Sequence, residues 1–195
     1  APGQAAERGS TIHAIGEFLN RQCHEETSSM SANINSADHR LPSSITELPY
    51  FDDEAVELAR EMTSLTDPIV IETKKAEGAV YFEKKLTIPK EYSPNFKGSA
   101  DVLCVSNLDL TICDYKTGFQ KVNAKDSLQL LSYAGMAHEL YDLLFDYQKI
   151  RMIIVQPTLD HFDEWVVTRV FLEDWLENFL KPKLKEIESG TGKYN

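Results

Sequence analysis

Residues 98–118, GSADVLCVSNLDLTICDYKTG, constrain the fold more than any other stretch of the chain. Two runs rich in Val, Leu, Ile and Thr, 98–106 and 109–117, flank Asn107-Leu108, a composition that predicts a hairpin. Yet the same runs carry Asp101, Asp114 and Lys116 among Leu, Val, Ile and Cys. An unpaired charge inside a packed sheet is expensive, so such groups pair, bind a cation or perform chemistry. If Asn107 and Leu108 form a two-residue turn, Ser106 pairs with Asp109, and counting back sets Asp101 opposite Asp114. Their Cβ atoms would then lie about 5 Å apart on one face. The strand period adds Lys116 to that face, with Leu103, Val105, Leu110 and Ile112 nearer the turn. A longer loop would shift this register, but the i, i+2 relation of Asp114 and Lys116 is independent of it.

Two carboxylates this close repel unless one is protonated or a cation sits between them, and an oxygen-rich site of this kind suits Mg²⁺ or Mn²⁺. A lysine beside it can orient a water or stabilise charge on a phosphate. An isolated D-x-K is more often a buried Asp–Lys salt bridge whose second Asp sits at a solvent-facing strand end, so the motif by itself is weak.

Elsewhere, apolar spacing predicts a helix over Ala5–Gln22 that places His13 and Glu17 on one face. A second helix is predicted over residues 54–65, after Asp52 and Asp53. Residues 24–49 lack periodicity and read as a loop. Residues 79–88, 150–156 and 164–171 have strand composition, and 125–145 carries the strongest helical pattern. A last helix over 172–188 is expected to bend near Pro182, and 189–195 reads as a flexible tail.

The chain of 195 residues, 42% hydrophobic and 26% charged, suits one α/β domain, with no membrane span or signal peptide expected. Three cysteines without CxxC spacing argue against a disulfide framework and fit a cytoplasmic protein. A net charge of −11 argues against a generally basic nucleic-acid binder, though an acidic site can still reach phosphates through bound cations.

Taken in order, RGSTIHAIGE on the first helix, Glu83, GSAD, DYKTG, QLLSYA and the later IIVQPTLDHFDEW resemble the RecB-like branch of the PD-(D/E)xK nucleases. The likeness is nearest to phage-encoded exonuclease-type proteins and spans roughly residues 5 to 180. It implies a restriction-endonuclease-like mixed central sheet flanked by helices, and divalent-metal-dependent DNA cleavage at duplex ends in phage recombination or repair. His13, Asp101 and Asp114 would be metal ligands, with Glu83 and the Tyr115 carbonyl, for one or two Mg²⁺ or Mn²⁺ ions. Lys116 would be the catalytic lysine, and Gln129 and Tyr133 the Q-x-x-x-Y pair that organises the site and contacts DNA backbone. Three scattered cysteines cannot form the four-cysteine iron-sulfur site of some relatives, so no cluster is expected. The resemblance also allows a phage single-strand annealing protein as partner, a homo-oligomer, and the bacterial host cytoplasm as compartment. A structure-specific endonuclease of the same fold, or an inactive DNA-binding subunit derived from it, would carry similar motifs.

Blander readings stand beside these. His13 and Glu17 fit a helix-surface pair, Glu17 being either an orienting partner for the imidazole or surface charge. Gln129 and Tyr133 could simply flank an apolar stripe. His24, His39, His138 and His161 read as surface residues, Trp165 and Trp175 as core or interface aromatics. The lysines at 84, 85, 90, 97, 181, 183, 185 and 193 read as solvated charge or local basic strips.

Overall fold

The hairpin closes through the two-residue turn: in the computed structural model, which describes residues 2–24 and 41–190, Ser106 N donates to Asp109 O at 3.0 Å. Leu108, an unusual residue for so tight a turn, is tolerated because its N–H donates to Ser106 Oγ at 3.1 Å while its side chain stays exposed. Most of the predicted 24–49 loop, part of the predicted tail, and His39 and Lys193 lie outside the described residues.

In chain order the elements are α1 (Pro2–His24), α2 (Ser43–Thr46), α3 (Asp53–Lys75), β1 (Ala79–Thr87), β2 (Lys97–Val105), β3 (Asp109–Tyr115), α4 (Leu128–Tyr141), β4 (Lys149–Gln156), β5 (His161–Thr168), α5 (Arg169–Trp175) and α6 (Lys181–Glu188). The strands form a five-stranded sheet in the order β1-β2-β3-β4-β5. β1, β2 and β3 pair antiparallel. Lys116 N donates to Val155 O at 2.9 Å, joining the C-terminal ends of β3 and β4. Those two strands, connected through α4, therefore run parallel, and the fold is α/β with a mixed sheet flanked by helices. Among the described residues no helix is long and apolar enough to cross a membrane.

The chain divides into two compact units. The first takes residues up to Asp67 with Tyr115–Val122 and Val155–Phe162. In it α1 and α3 bury Ile12, Ile15, Leu19, Ala55, Ala59 and Met62. Asp52 caps α3, accepting from Ala55 N at 2.7 Å, and Arg8 binds both Asp52 and Glu54 at 2.6 Å. The Arg8 hydrogen bond, helped by the cap, holds the Asp52 carboxyl below its usual range. α3 runs on to Lys75 instead of stopping near Leu65, with Pro68 inside it. Proline removes one i→i−4 bond, and the boundary between the units falls at that point, between Asp67 and Pro68.

The second unit holds Pro68–Asp114, Asn123–Ile154 and the residues from Asp163 on. β3 is buried along its whole length, as is β2 from Ala100 onward. Ser127 caps α4, accepting from Leu130 N at 3.3 Å, and Leu130, Leu131, Ala134, Met136 and Ala137 form its buried side. Gly135 lets the C-terminal helices approach, since a Cβ there would stand 2.6 Å from Leu176 Cδ2. β5 lies three residues earlier than predicted because Thr168 ends it as the cap of α5, accepting from Phe171 N at 3.2 Å. Where a bend is expected near Pro182, a π-helical turn spans Leu176–Leu180, and the proline then sits in the first turn of α6, where its missing N–H costs little.

Four polar residues depart from their sequence reading; the first, His24, is half-buried with Nε2 3.0 Å from Asp67 Oδ1. His138 is buried, its Nδ1 2.9 Å from Tyr147 Oη, and burial pushes its pKa down. Lys181 is also buried; burial alone would lower its pKa, but ion pairs with Glu139 (2.7 Å) and Glu177 outweigh this and raise it. His161 is half-buried with Nε2 2.8 Å from Val122 O, not a free surface group. Trp165 and Trp175, expected as core or interface aromatics, are half-buried and outside the core, packing on Phe171 and Phe179.

Candidate metal centre

Three strands of the second unit each contribute one carboxylate to a single row. β2 and β3 pair Val102 with Cys113, and one further step of that register sets Asp101 against Asp114, as the two-residue turn predicts. β1 and β2 pair Phe82 with Val102 and Lys84 with Ala100, so Glu83 falls opposite Asp101 on the other side. Glu83 and Asp101 bring carboxylate oxygens within 4.8 Å of each other, while Asp114 does not join them in a group of that mutual spacing. Asp101 is 9% and Asp114 5% exposed, and Glu83 is half-buried. Ser99 Oγ donates to Glu83 Oε2 at 3.2 Å.

Glu83 also departs from strand geometry, with φ of +49° in the middle of β1. For a residue with a side chain the left-handed region costs about 1–2 kcal/mol, and such strain concentrates at functional positions. It falls at the point where the β1–β2 ladder skips one pair. Glu83→Gly should therefore raise apo-protein stability by about 1 kcal/mol while weakening Mn²⁺ binding, a combination readable from thermal melts with and without the ion. A lower apo midpoint would show that Glu83 is not strained.

The donor chemistry of this row is that of hard oxygen ligands. Cys104 and Cys113, the thiols on β2 and β3, are buried; burial pushes the Cys104 pKa up to about 12 and that of Cys113 well above its usual value. By strand alternation both fall on the opposite face of the hairpin from Asp101 and Asp114, outside the row. The carboxylates instead match Mg²⁺ or Mn²⁺.

α4 supplies the next layer. Gln129 Nε2 donates to Tyr133 Oη at 2.9 Å, joining the predicted Q-x-x-x-Y pair on one helix face. Tyr133 lies over Gly98 of β2, where a Cβ would stand 2.3 Å from its Cε1. The glycine of GSAD thus gives the tyrosine ring room three residues before Asp101.

The first unit places the other predicted residues. His13, half-buried on α1, sets its ring edge-on to Tyr115, with centroids 6.1 Å apart. The buried Tyr115 hydroxyl lies 2.8 Å from Thr66 Oγ1 and accepts from Asn20 Nδ2 at 3.3 Å. Its side chain is thus structural. Glu17 binds Arg21 at 2.9 Å, an ion pair within α1, which favours the surface-charge reading. Lys116 is half-buried, its backbone tied to β4.

Sequence reasoning assigned no role to Gln156, which is fully buried. Its Nε2 donates to Gly118 O at 2.7 Å and Gln120 O at 2.9 Å, and its Oε1 accepts from Val122 N at 3.1 Å. It staples the loop that follows Lys116. The Gln-Pro step after an apolar run was the available signal, since a glutamine there must find partners once buried.

A solved structure titled "Crystal structure of SSO0001" aligns with 86% of this chain and 75% of its own at 13% identity, with a TM-score of 0.26, too low to carry an argument. The family model described as "Protein of unknown function (DUF2800)" matches residues 2–195. A match over essentially the whole chain shows that the protein belongs to the DUF2800 family.

Proposed function

We propose that this protein is a divalent-metal-dependent deoxyribonuclease of the RecB-like PD-(D/E)xK type, with a restriction-endonuclease-like core, that removes nucleotides from duplex DNA ends. The observation that carries this reading is the carboxylate row Glu83–Asp101–Asp114 across β1, β2 and β3, with Lys116 two residues beyond its last member. A salt-bridged structural pair needs one acid, whereas this row gathers three and strains one of them.

Glu83, Asp101 and Asp114 would hold one or two Mg²⁺ or Mn²⁺ ions, and the family resemblance adds the His13 imidazole and the Tyr115 carbonyl to the set. Such an ion polarises a phosphodiester and offsets the negative charge that an acidic protein would otherwise present to DNA. Lys116, the lysine of the D-x-K pattern, would orient the attacking water. Gln129 fixes the Tyr133 hydroxyl, which then faces the DNA backbone. The annealing-protein partner, a homo-oligomer and the host-cytoplasm setting follow only from the phage resemblance and belong to the same proposal.

The test is a time course on end-labelled linear duplex and covalently closed circles with Mg²⁺, Mn²⁺ or EDTA. Loss of label from linear DNA in either metal, with circles intact, is expected. Rapid linearisation of circles would favour the endonuclease reading. Cleavage that survives EDTA, or none with any metal, would overturn the proposal.

A further inference from the structure

Two lysines share the side of the sheet that carries Glu83. Ser99 Oγ donates to Glu83 Oε2 at 3.2 Å, so the Ser99 side chain lies on the glutamate's side. Residues directly opposite each other in an antiparallel pair project to one side, and Ser99 is opposite Lys85. Two residues earlier on β2, on that same side by strand alternation, Lys97 is opposite Thr87. The other side of these strand ends is occupied: Lys84 lies over the Tyr81 ring at 4.4 Å, Leu86 is buried, and Gly98 meets Tyr133. Lys85 and Lys97 are exposed, and neither side chain forms an ion pair or hydrogen bond among the described residues. All of these residues belong to the second unit.

Charge is therefore sorted along this part of the sheet. Elsewhere in the unit Lys149, Lys181 and Lys183 are each answered by a carboxylate. Here the acids stand together at Glu83, Asp101 and Asp114, while Lys85 follows Glu83 by about 7 Å along β1 and Lys97 lies about 7 Å further on. Those steps are within the roughly 8–10 Å over which charges act on one another at ordinary salt. A ligand complementary to this order is a line of anions. A cation on the carboxylates takes one phosphate, and the phosphates beyond it need positive charge to offset the acids. Ammonium groups supply point charge with no planar fork or ring to read a base, so the contact is to backbone. We propose that Lys85 and Lys97 bind the DNA backbone phosphates next to the one held at the carboxylate row. The inference rests on the nuclease reading for the identity of the polyanion and assigns the two lysines a binding role.

The experiment measures anisotropy of a labelled duplex oligonucleotide in Ca²⁺ across a KCl series. The proteins are wild type, Lys85→Gln, Lys97→Gln, the double variant, Lys85→Arg, and Lys183→Gln, which removes the same charge from an α6 lysine paired with Glu186. Each single glutamine variant should bind severalfold more weakly and lower the slope of log affinity against log salt by about 0.9, and the double variant by about twice that. Lys85→Arg should restore the wild-type slope, and Lys183→Gln should leave it unchanged. Thermal midpoints should hold, and Mn²⁺ affinity should hold or tighten, because a nearby positive charge is lost. A wild-type slope in the double variant, or an equal loss in Lys183→Gln, would overturn the site. If wild type cleaves linear duplex while the lysine variants keep its slope and KM, this inference alone falls. If wild type binds DNA with this lysine dependence but never cleaves it, the nuclease reading falls and the phosphate site stands. Absence of any DNA binding removes both.

Discussion

Asp101→Asn should leave the protein folded and lower Mn²⁺-dependent cleavage by at least about a thousandfold. Asp101 is the middle member of the row, flanked in register by Glu83 on one side and Asp114 on the other, so any ion held there depends on it most. Asparagine keeps the shape but removes the charge that attracts the cation. Because the apo protein gathers three acids in one row, the same change relieves repulsion, and the apo thermal midpoint should hold or rise. Calorimetry should show Mn²⁺ binding weakened or one site lost. A variant that cleaves at wild-type rate would remove the row from catalysis; one that unfolds would make Asp101 a structural anchor.

Lys116→Ala should also lower the rate by roughly a thousandfold, but with a different signature. A lysine that acts on the water and on charge developing in the transition state contributes to rate more than to ground-state binding. DNA affinity in Ca²⁺ and the Mn²⁺ isotherm should therefore change by no more than a few fold. Its backbone bond to Val155 is independent of the side chain and should keep the local fold. Parallel loss of affinity and rate would reassign Lys116 to DNA backbone binding.

Sequence and structure agree most closely where local chemistry decides. The Asp101/Asp114 opposition was legible because it follows from one turn and the strand period, and the turn formed despite Leu108. Glu83 was legible only as a resemblance. Its place opposite Asp101 depends on the length of the chain between β1 and β2, and its left-handed backbone contradicts what strand propensity favours. The reach of α3 past Leu65 goes beyond the predicted helix: Ile69 and Val70 beyond Pro68 are buried, and that tertiary packing carries the helix through a residue that cannot complete its hydrogen bond. His138 and Lys181 were misread because their burial is tertiary. The histidine's partner Tyr147 comes from the chain before β4, and Glu139 reaches Lys181 from α4. Glu177, one helical turn before Lys181, was the local hint. The Gly98–Tyr133 packing shows why two separate motifs belong together, a relation between strand and helix that no spacing along the chain could express.

Whether the carboxylate row binds a catalytic cation is read most directly by anomalous diffraction from a crystal soaked in Mn²⁺. A Mn²⁺ peak is expected within roughly 2.5 Å of oxygens from Asp101 and from Glu83 or Asp114, absent in Asp101→Asn crystals soaked alike. Mn²⁺ bound elsewhere on the protein, with none at the three carboxylates, would remove the cation from this row.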